Sequence, residues 1–148
     1  MQRTRSDRER REEIAKLVAD FDRAAIDRAR WTHEAHLTVA AWHLLSFPYD
    51  AALSQMRAGI QRLNAANSVA QTPTGGYHET ITQLYMQLVA QAIDRVGRDG
   101  PIDRVIGEVV ARCFDRDLPL RFYTRETLKS WTSRTSWVEP DIAPIVLP

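Results

Sequence analysis

The chain of 148 residues has very little cysteine, and its single one, Cys113, cannot form an internal disulfide. The first residues contain no apolar stretch of the kind that a secretory signal needs, so a reducing cytoplasm is the expected location. Long hydrophobic runs are also missing. The segment 37–47 is interrupted by Thr38, His43 and Ser46, and it falls short of the roughly 18 apolar residues of a membrane span. We therefore expect a cytoplasmic protein without a membrane partner.

An excess of charge of either sign is absent as well. Lysine and arginine number 20 and aspartate and glutamate 19, which leaves a formal net charge of +1. This balance gives no reason to expect a nucleic acid or an acidic membrane surface as a partner. The hydrophobic fraction of 44% and the charged fraction of 26% are typical of one globular domain. A chain of this length buries enough surface to fold without a disulfide or a structural metal.

Apolar residues recur at helical spacing through most of the chain, and this periodicity predicts an all-α fold. The five long helices are predicted over residues 8–26, 33–47, 49–64, 77–96 and 102–114. Thr32 is a suitable N-cap for the second helix, which is apolar almost all round and is expected at the centre. A short sixth helix is predicted over residues 124–131, and an extended conformation is predicted for residues 120–123. The predicted fold is a single-domain bundle of five to six helices.

The two ends of the chain differ from the predicted bundle. Residues 1–13 are almost all charged or polar, and we interpret them as an extension that is either a solvated helix start or a frayed tail. The alternative is an anion-binding arm. Residues 14–148 are expected to form one helical domain. That domain ends in a proline-rich C-terminal arm, residues 137–148, which we expect to pack along the surface.

Three of the four histidines lie near predicted helix starts: His33 and His36 in W-T-H-E-A-H, and His78 in G-G-Y-H-E-T. Residues three apart on an α-helix differ by about 60° in angle and about 4.5 Å in rise, so His33 and His36 can direct their imidazoles at one point. His78 heads the buried face of another helix and is the predicted third ligand. The pattern predicts a three-histidine metal site. The alternative is that all three are ordinary structural histidines.

A carboxylate follows two of these histidines in the sequence. Glu79 is the predicted fourth ligand or general base, whereas Glu34 is expected to favour the positive start of its own helix. Three histidines with a nearby carboxylate suit a divalent transition metal, with zinc or iron the leading expectations. Zinc would favour hydrolysis and iron oxidative chemistry. The histidines of H-E-A-H are three apart rather than four, so the zinc-protease motif H-E-x-x-H is excluded.

Aromatic residues occur close to the predicted metal ligands. Tyr77 and Tyr85 are predicted to bind substrate, and with Trp31 and Trp42 they are suited to surround a small organic ligand. The same four aromatic side chains equally suit a plain hydrophobic core.

A polar cluster near the C-terminus has two interpretations. Arg125, together with Arg121, offers guanidinium groups that can hold a substrate carboxylate. The alternative is that both arginines pair with acidic residues and fix the C-terminal arm, the acids being Asp117, Glu139 and Asp141.

Other residues that are able to carry chemistry receive structural interpretations. His43 lies too far along its helix from His36 to share a mononuclear site, so we expect a satisfied core histidine. Cys113 is expected to act as a small buried apolar residue. The glycines of T-P-T-G-G are expected to let the chain turn tightly before His78, and without the lysine of a P-loop this segment does not predict nucleotide binding.

Three sequence blocks occur in the order W-T-H-E-A-H, T-P-T-G-G-Y-H-E-T-I-T and W-V-E-P-D-I-A-P. Through these blocks the chain resembles a group of small, uncharacterised bacterial helical proteins over about residues 31–144. The resemblance implies a shared helical family, and it carries no activity, cofactor or catalytic residue. The charged segment before Ile14 lies outside it, which agrees with interpreting that segment as an extension.

Two hypotheses about function follow from the sequence. The first is a small metal-dependent enzyme in which His33, His36 and His78 bind the metal, and metal-activated water or dioxygen reacts with a small organic substrate. The second is a non-catalytic helical module with structural histidines, which contacts a protein partner through its arm or its arginine-rich start. A bound metal favours the first hypothesis, and a partner or dimer without metal favours the second.

Overall fold

Helices follow one another along the chain in a computed structural model that describes residues 2–148, with side chains described from Asp7 onward. The long helices are α1 (Gln2–Asp22), α2 (His33–Ser46), α3 (Tyr49–Ala66), α4 (Glu79–Val96) and α5 (Ile102–Cys113). A 3₁₀ turn (Leu118–Arg121) and the short helices α6 (Arg125–Lys129) and α7 (Trp131–Thr135) complete the order. No strand occurs among the described residues, and the predicted all-α bundle is confirmed. Among the same residues, no helix is long and apolar enough to cross a membrane.

Helix α2 occupies the centre of the bundle and packs against α1, α3, α4 and α5. Thr32 caps it as predicted, because the threonine hydroxyl accepts the backbone N–H of Ala35 at 3.1 Å. The buried side chains of α2 cover most of its circumference: Ala35, Leu37, Val39, Ala40, Ala41, His43 and Leu44. The central position expected from its apolar composition is therefore confirmed.

Helix α1 begins and ends earlier than predicted. It contains most of the charged N-terminal segment, which is therefore a helix start; Met1 lies outside the described residues. Arg11 of this segment lies 3.5 Å from the carboxylate of Asp103 in α5, so the segment reaches the body of the bundle. The predicted end at residue 26 is wrong because Ala24 adopts the left-handed region with φ 53°, which stops the helix. Ile26 is still buried in the core, which explains why the apolar pattern continued past the turn.

The chain after α5 contains more helix than predicted. Residues 120–123 are not extended, because a 3₁₀ turn covers Leu118–Arg121. The predicted helix over 124–131 is two helices with separate caps. Thr124 accepts the N–H of Thr127 at 3.2 Å to start α6, and Ser130 accepts the N–H of Ser133 at 3.1 Å to start α7.

The C-terminal arm packs on the bundle through hydrogen bonds to the segment that follows α5. The hydroxyl of Tyr123 donates to the carbonyl of Val138 at 2.6 Å. The carboxylate of Asp141 accepts from the hydroxyls of Thr124 and Thr127, both at 2.7 Å. Near its end the arm buries Leu147 in the core. The expected packing of the arm along the surface is thus present, and besides these hydroxyls the side chains of Gln91 and Arg95 in α4 donate to carbonyls of the arm.

The arginines predicted to hold the arm do not do so. Arg121 and Arg125 are exposed, and within the described residues neither forms an ion pair with Asp117, Glu139 or Asp141. The hydroxyls of the neighbouring threonines occupy the position at Asp141 that an arginine would need.

The loop between α3 and α4 turns sharply before it reaches Tyr77 and His78. Gly76 has φ 90°, and a Cβ atom there would lie 2.8 Å from the carbonyl oxygen of Ala70, so only glycine fits this turn. The side-chain amide of Gln71 fixes the turn, since it accepts from the backbone N–H of Tyr77 at 2.8 Å and donates to the carbonyl of Tyr77 at 2.9 Å. Tyr77 and His78 therefore enter the bundle in a fixed orientation.

Candidate functional site

A cavity of about 450 Å³ lies among α2, α3, α4 and the loop that precedes α4. Apolar side chains of the three helices form most of one wall: Leu37, Ala40, Met56, Ile60, Ile81 and Met86. Polar and aromatic side chains form much of the rest, and they include Trp31, His33, His36, Tyr77, His78, Tyr85 and Arg116. We call this space the histidine cavity. A largely apolar cavity of this volume with a few polar groups is typical of a small-molecule site.

His33 begins α2, and its Nε2 atom is buried without a hydrogen-bond partner among the described residues. Burial lowers the pKa of His33 below its usual range, the charge of Arg116 adds to this effect, and a hydrogen bond to the backbone of Phe114 opposes it. Since Nε2 has no partner among the described residues, we assign the contact with the Phe114 backbone to Nδ1. A ring nitrogen that bonds a carbonyl must carry the proton, so Nε2 of the neutral ring carries the lone pair.

His36 lies one helical turn after His33 and stacks on Trp31, with ring centroids 3.9 Å apart and an angle of 30° between the planes. Burial is the main cause that lowers the pKa of His36 to about 4, and repulsion from Arg116, and from His33 in its protonated form, contributes to the same shift. The imidazole is therefore neutral at pH 7. It adds a flat, uncharged surface to the cavity wall.

His78 is the N-cap residue of α4, and both of its ring nitrogens have partners. Nδ1 accepts the backbone N–H of Ile81 at 3.1 Å, and Nε2 lies 2.8 Å from the carbonyl oxygen of Leu128. The carbonyl requires a proton on Nε2, and the backbone N–H requires a lone pair on Nδ1, so a single neutral tautomer satisfies both bonds. Burial lowers the pKa of His78 and favours this neutral form.

The structure brings the three predicted metal ligands to one cavity without arranging them as a metal site. In the part of the chain that the structure describes, no group of three or more His, Cys, Asp or Glu side chains is placed to hold a metal ion. His78 has no free lone pair, because its Nδ1 accepts from the first turn of α4. Coordination of a metal by His33, His36 and His78 stays a prediction.

Glu79 lines a second cavity of about 640 Å³, which shares Tyr77 with the histidine cavity and which we call the glutamate cavity. Its wall includes Arg57, Gln61, Gln71, Tyr77, Glu79, Arg134 and Trp137. Arg57 donates to both oxygens of the Glu79 carboxylate, at 2.8 and 2.6 Å. The hydroxyl of Tyr77 donates to the same carboxylate at 2.7 Å, and the amide of Gln83 also donates to it.

These contacts give Glu79 a strongly acidic carboxyl group. The hydrogen bonds from Arg57 lower its pKa to about 2, against the opposing effect of burial, and the bonds from Tyr77 and Gln83 act with Arg57. A carboxylate with so low a pKa is a weak base at neutral pH. The role of Glu79 as a general base or fourth ligand stays a prediction, and its observed contacts are those of a structural ion pair.

The substrate-binding residues predicted from the sequence lie in different places. Tyr77 and Tyr85 line the histidine cavity, whereas Arg125 is exposed on α6 and does not line it. Arg116, which no sequence feature singled out, does line it. Arg116 stands between two aspartates in D-R-D, a pattern typical of a solvated loop, so no sequence signal separated it from other surface arginines.

Two residues fulfil their structural interpretations. His43 is 1% exposed, and its Nδ1 lies 2.8 Å from the carbonyl oxygen of Val39, as expected for a satisfied core histidine. Cys113 is fully buried, and burial raises the pKa of its thiol to about 11. A thiol of this kind is a poor nucleophile at neutral pH.

Comparisons of the chain with protein-family models, with curated proteins and with solved structures give no match. The two cavities are therefore the features of the molecule that bear on its function.

Proposed function

We propose that this protein binds a small organic molecule in the histidine cavity, where His33 accepts a hydrogen bond from an O–H or N–H group of that molecule. The supporting observation is the Nε2 atom of His33, which is buried without a partner on the wall of a cavity of about 450 Å³. Buried polar atoms in folded proteins nearly always have partners, and an exception on a cavity wall suggests that a ligand supplies the missing group.

The surroundings of His33 define what the bound molecule must look like. The ring is neutral at pH 7 because burial lowers its pKa, and with the proton assigned to Nδ1 the Nε2 atom is an acceptor that calls for a donor on the ligand. The rings of Tyr85 and Phe114 lie 5.3 and 5.7 Å from the ring of His33 and keep its orientation fixed. Because apolar side chains of α2, α3 and α4 line the same cavity, the remainder of the ligand is expected to be apolar or aromatic.

A pair of matched probes tests this proposal. 4-Ethylphenol has an O–H donor, and 4-ethylanisole replaces the hydrogen with a methyl group. We expect the phenol to bind about fivefold more tightly in an NMR titration, because one net hydrogen bond contributes about 1 kcal/mol. His33→Leu should remove this preference while the apolar part of the binding remains.

The matched control is Glu34→Gln, because Glu34 is the neighbour of His33 on α2, is exposed and does not line the histidine cavity. This variant should keep the full preference for the phenol. Equal affinity of the two probes for the unmodified protein, or a preference that survives in His33→Leu, would overturn the assignment of His33. Failure of both probes to bind at millimolar concentration would overturn the cavity as a binding site for molecules of this type.

A metal-dependent enzyme is the second candidate, and the observation that favours it is the presence of all three predicted ligands on one cavity wall. In this proposal His33 offers its free Nε2 to zinc or iron, and His36 is the ligand one turn along α2. His78 must then give up its bond to Ile81 or to Leu128. The metal would activate water or dioxygen toward the bound organic molecule.

Elemental analysis of purified, tag-free protein tests this second candidate. Near-stoichiometric zinc or iron that disappears in both His36→Ala and His78→Ala is the expected result. His43→Gln is the control, since His43 lies outside the histidine cavity, and it should retain the metal. Protein that contains no metal after purification without chelator, and takes up none on reconstitution, would rule the metal centre out.

A further inference from the structure

Arg116 supplies the only full charge on the described wall of the histidine cavity. The residues that line the cavity include no aspartate, glutamate or lysine, and the lining histidines are neutral at pH 7. Asp115 and Asp117 flank Arg116 in the sequence. Even so, the guanidinium forms no ion pair or hydrogen bond with any residue that the structure describes. Arg116 is exposed, so water solvates its guanidinium and leaves the cation available to an anion that binds in the cavity.

The charge of Arg116 acts on the cavity interior. It disfavours protonation of His33 and His36, and it favours the ionised form of Tyr85, so its field reaches three side chains of the cavity wall. The starts of α2 and α4 also lie at this cavity, and a helix N-terminus carries positive partial charge. The acids in the first turns of these helices do not line the cavity. Glu34 is exposed, and Glu79 is paired with Arg57 in the glutamate cavity.

We infer that the molecule bound in the histidine cavity is an organic carboxylate, whose anionic group pairs with Arg116 while its apolar body occupies the space between α2, α3 and α4. This inference rests on the proposed function and adds the chemical class of the ligand. A carboxylate has one charge and two oxygens, which match one guanidinium in charge and in its forked geometry. A phosphate monoester carries close to two charges at pH 7, and one arginine leaves half of that charge unbalanced.

The positions of His33 and Arg116 give the ligand two fixed polar contacts. His33 requires a hydrogen-bond donor and Arg116 requires an anion. The carboxylate of the ligand therefore pairs with Arg116, and a separate O–H or N–H group donates to His33. Molecules that contain both groups on an apolar or aromatic frame, such as hydroxy acids, can contact His33, Arg116 and the apolar wall at once. The two contacts predict a preferred orientation of the ligand as well as its class.

The inference is tested with 3-phenylpropanoate and its neutral amide, 3-phenylpropanamide, which differ in charge and hardly in shape. We expect the carboxylate to bind about tenfold more tightly to the unmodified protein, as one charge-assisted pair is typically stronger than its neutral counterpart by this order. In Arg116→Gln the two probes should bind alike. Arg121→Gln is the matched control, because Arg121 is also exposed but does not line the cavity, and it should retain the tenfold preference.

The possible results separate this inference from the proposed function. Equal affinities of the carboxylate and the amide for the unmodified protein would overturn the carboxylate assignment and leave the cavity as a site for neutral molecules. Tighter binding of phenyl phosphate than of 3-phenylpropanoate would replace the carboxylate with a phosphate ester. If neither the carboxylate nor the amide binds, and the phenol probe fails as well, the proposed function falls together with the inference. Circular dichroism of Arg116→Gln verifies that the variant is folded.

Discussion

The two cavities that share Tyr77 differ in the chemistry of their walls. In the glutamate cavity the carboxylate of Glu79 is held by Arg57, Tyr77 and Gln83, and both of its oxygens accept hydrogen bonds. In the histidine cavity the wall is largely apolar, and Nε2 of His33 has no partner in the part of the chain that the structure describes. In the glutamate cavity the acid is fully hydrogen-bonded within the protein. In the histidine cavity Nε2 of His33 and the guanidinium of Arg116 have no hydrogen-bond partner among the described residues.

This difference separates structural groups from groups available to a ligand. An acid that is fully bonded inside the protein stabilises the fold, and binding a ligand there would require breaking those bonds. An unpaired acceptor costs stability, so its persistence in a cavity is typical of a site that a ligand completes. Arg134 in the glutamate cavity also has an unpaired Nε, but the same guanidinium donates to the carbonyls of Gly76 and Tyr77 and fixes the loop.

Replacement of Glu79 by glutamine is expected to have the largest effect on stability. The variant keeps the size of the side chain but leaves the Arg57 guanidinium without its counter-charge, so the free energy of unfolding should fall by about 3 kcal/mol in urea denaturation. Glu34→Gln is the control, since Glu34 is the exposed acid in the first turn of α2, and it should cost about 0.5 kcal/mol or less. A loss no larger than that of the control would remove the structural role assigned to the glutamate cavity.

Acidification is expected to weaken the histidine cavity before it affects the glutamate cavity. The pKa of His36 is about 4 in the folded chain and near 6.5 in the unfolded chain, so the unfolded chain takes up its proton first as the pH falls. Stability is therefore retained above pH 6.5 and lost progressively toward pH 4, by about 2 kcal/mol at pH 5. The low pKa of Glu79 confines its own titration to more acidic conditions.

Urea denaturation at several pH values between 7 and 5 measures this effect. His36→Gln should flatten the dependence of the unfolding free energy on pH, whatever its effect at pH 7. The pKa values of His33, His43 and His78 are also lowered, so some slope will remain in the variant. An unchanged slope in His36→Gln would show that the buried imidazole is not protonated preferentially in the unfolded chain.

Tyr77 contacts both cavities, and removal of its hydroxyl separates their contributions. The hydroxyl donates to Glu79, so Tyr77→Phe should cost about 1 kcal/mol of unfolding free energy while the ring remains on the wall of the histidine cavity. Tyr85→Phe is the matched comparison, because the hydroxyl of Tyr85 donates to an exposed carbonyl of Asp115 at 3.1 Å and should contribute less than about 0.5 kcal/mol. Equal losses in the two variants would contradict the distinction between the cavities.

His33→Leu is expected to have the smallest effect on stability. Leucine removes a buried nitrogen that has no partner among the described residues and also gives up the contact with the Phe114 backbone. These effects oppose each other, so the free energy of unfolding should change by about 0.5 kcal/mol or less in either direction. Thermal and urea unfolding measure this change, and the phenol titration measures the accompanying loss of ligand preference. A destabilisation comparable to that of Glu79→Gln would mean that His33 is a structural histidine.

Much of the fold was predictable because it depends on local rules. Thr32 caps α2 through its own hydroxyl, Pro48 ends that helix, and the apolar composition of α2 requires a central position. Errors arose at turns, where local backbone hydrogen bonds set a conformation that apolar periodicity does not indicate. The left-handed Ala24 ended α1 although Ile26 continued the apolar pattern, and the 3₁₀ turn at Leu118–Arg121 replaced the expected extended segment.

The candidate site was predictable only in part. The positions of His33, His36 and His78 at helix starts indicated that they would meet, and all three do line one cavity. The residues next to each histidine in the sequence did not indicate which of its ring nitrogens would be hydrogen-bonded. Both ring nitrogens of His78 are hydrogen-bonded, one to Ile81 and the other to Leu128. Because Leu128 lies 50 residues away in the sequence, no local pattern predicts the second bond.

The sequence by itself determined an all-α chain with a central apolar helix and histidines placed at helix starts, because helix propensity, caps and apolar periodicity act over a few residues. Only the tertiary structure decided which histidine remains free, which acid is paired, and that Arg116 rather than Arg125 lies at the cavity. Those outcomes depend on distances between helices that are remote in the chain. Burial and hydrogen bonding, which set the chemistry of each group, exist only once the helices have packed.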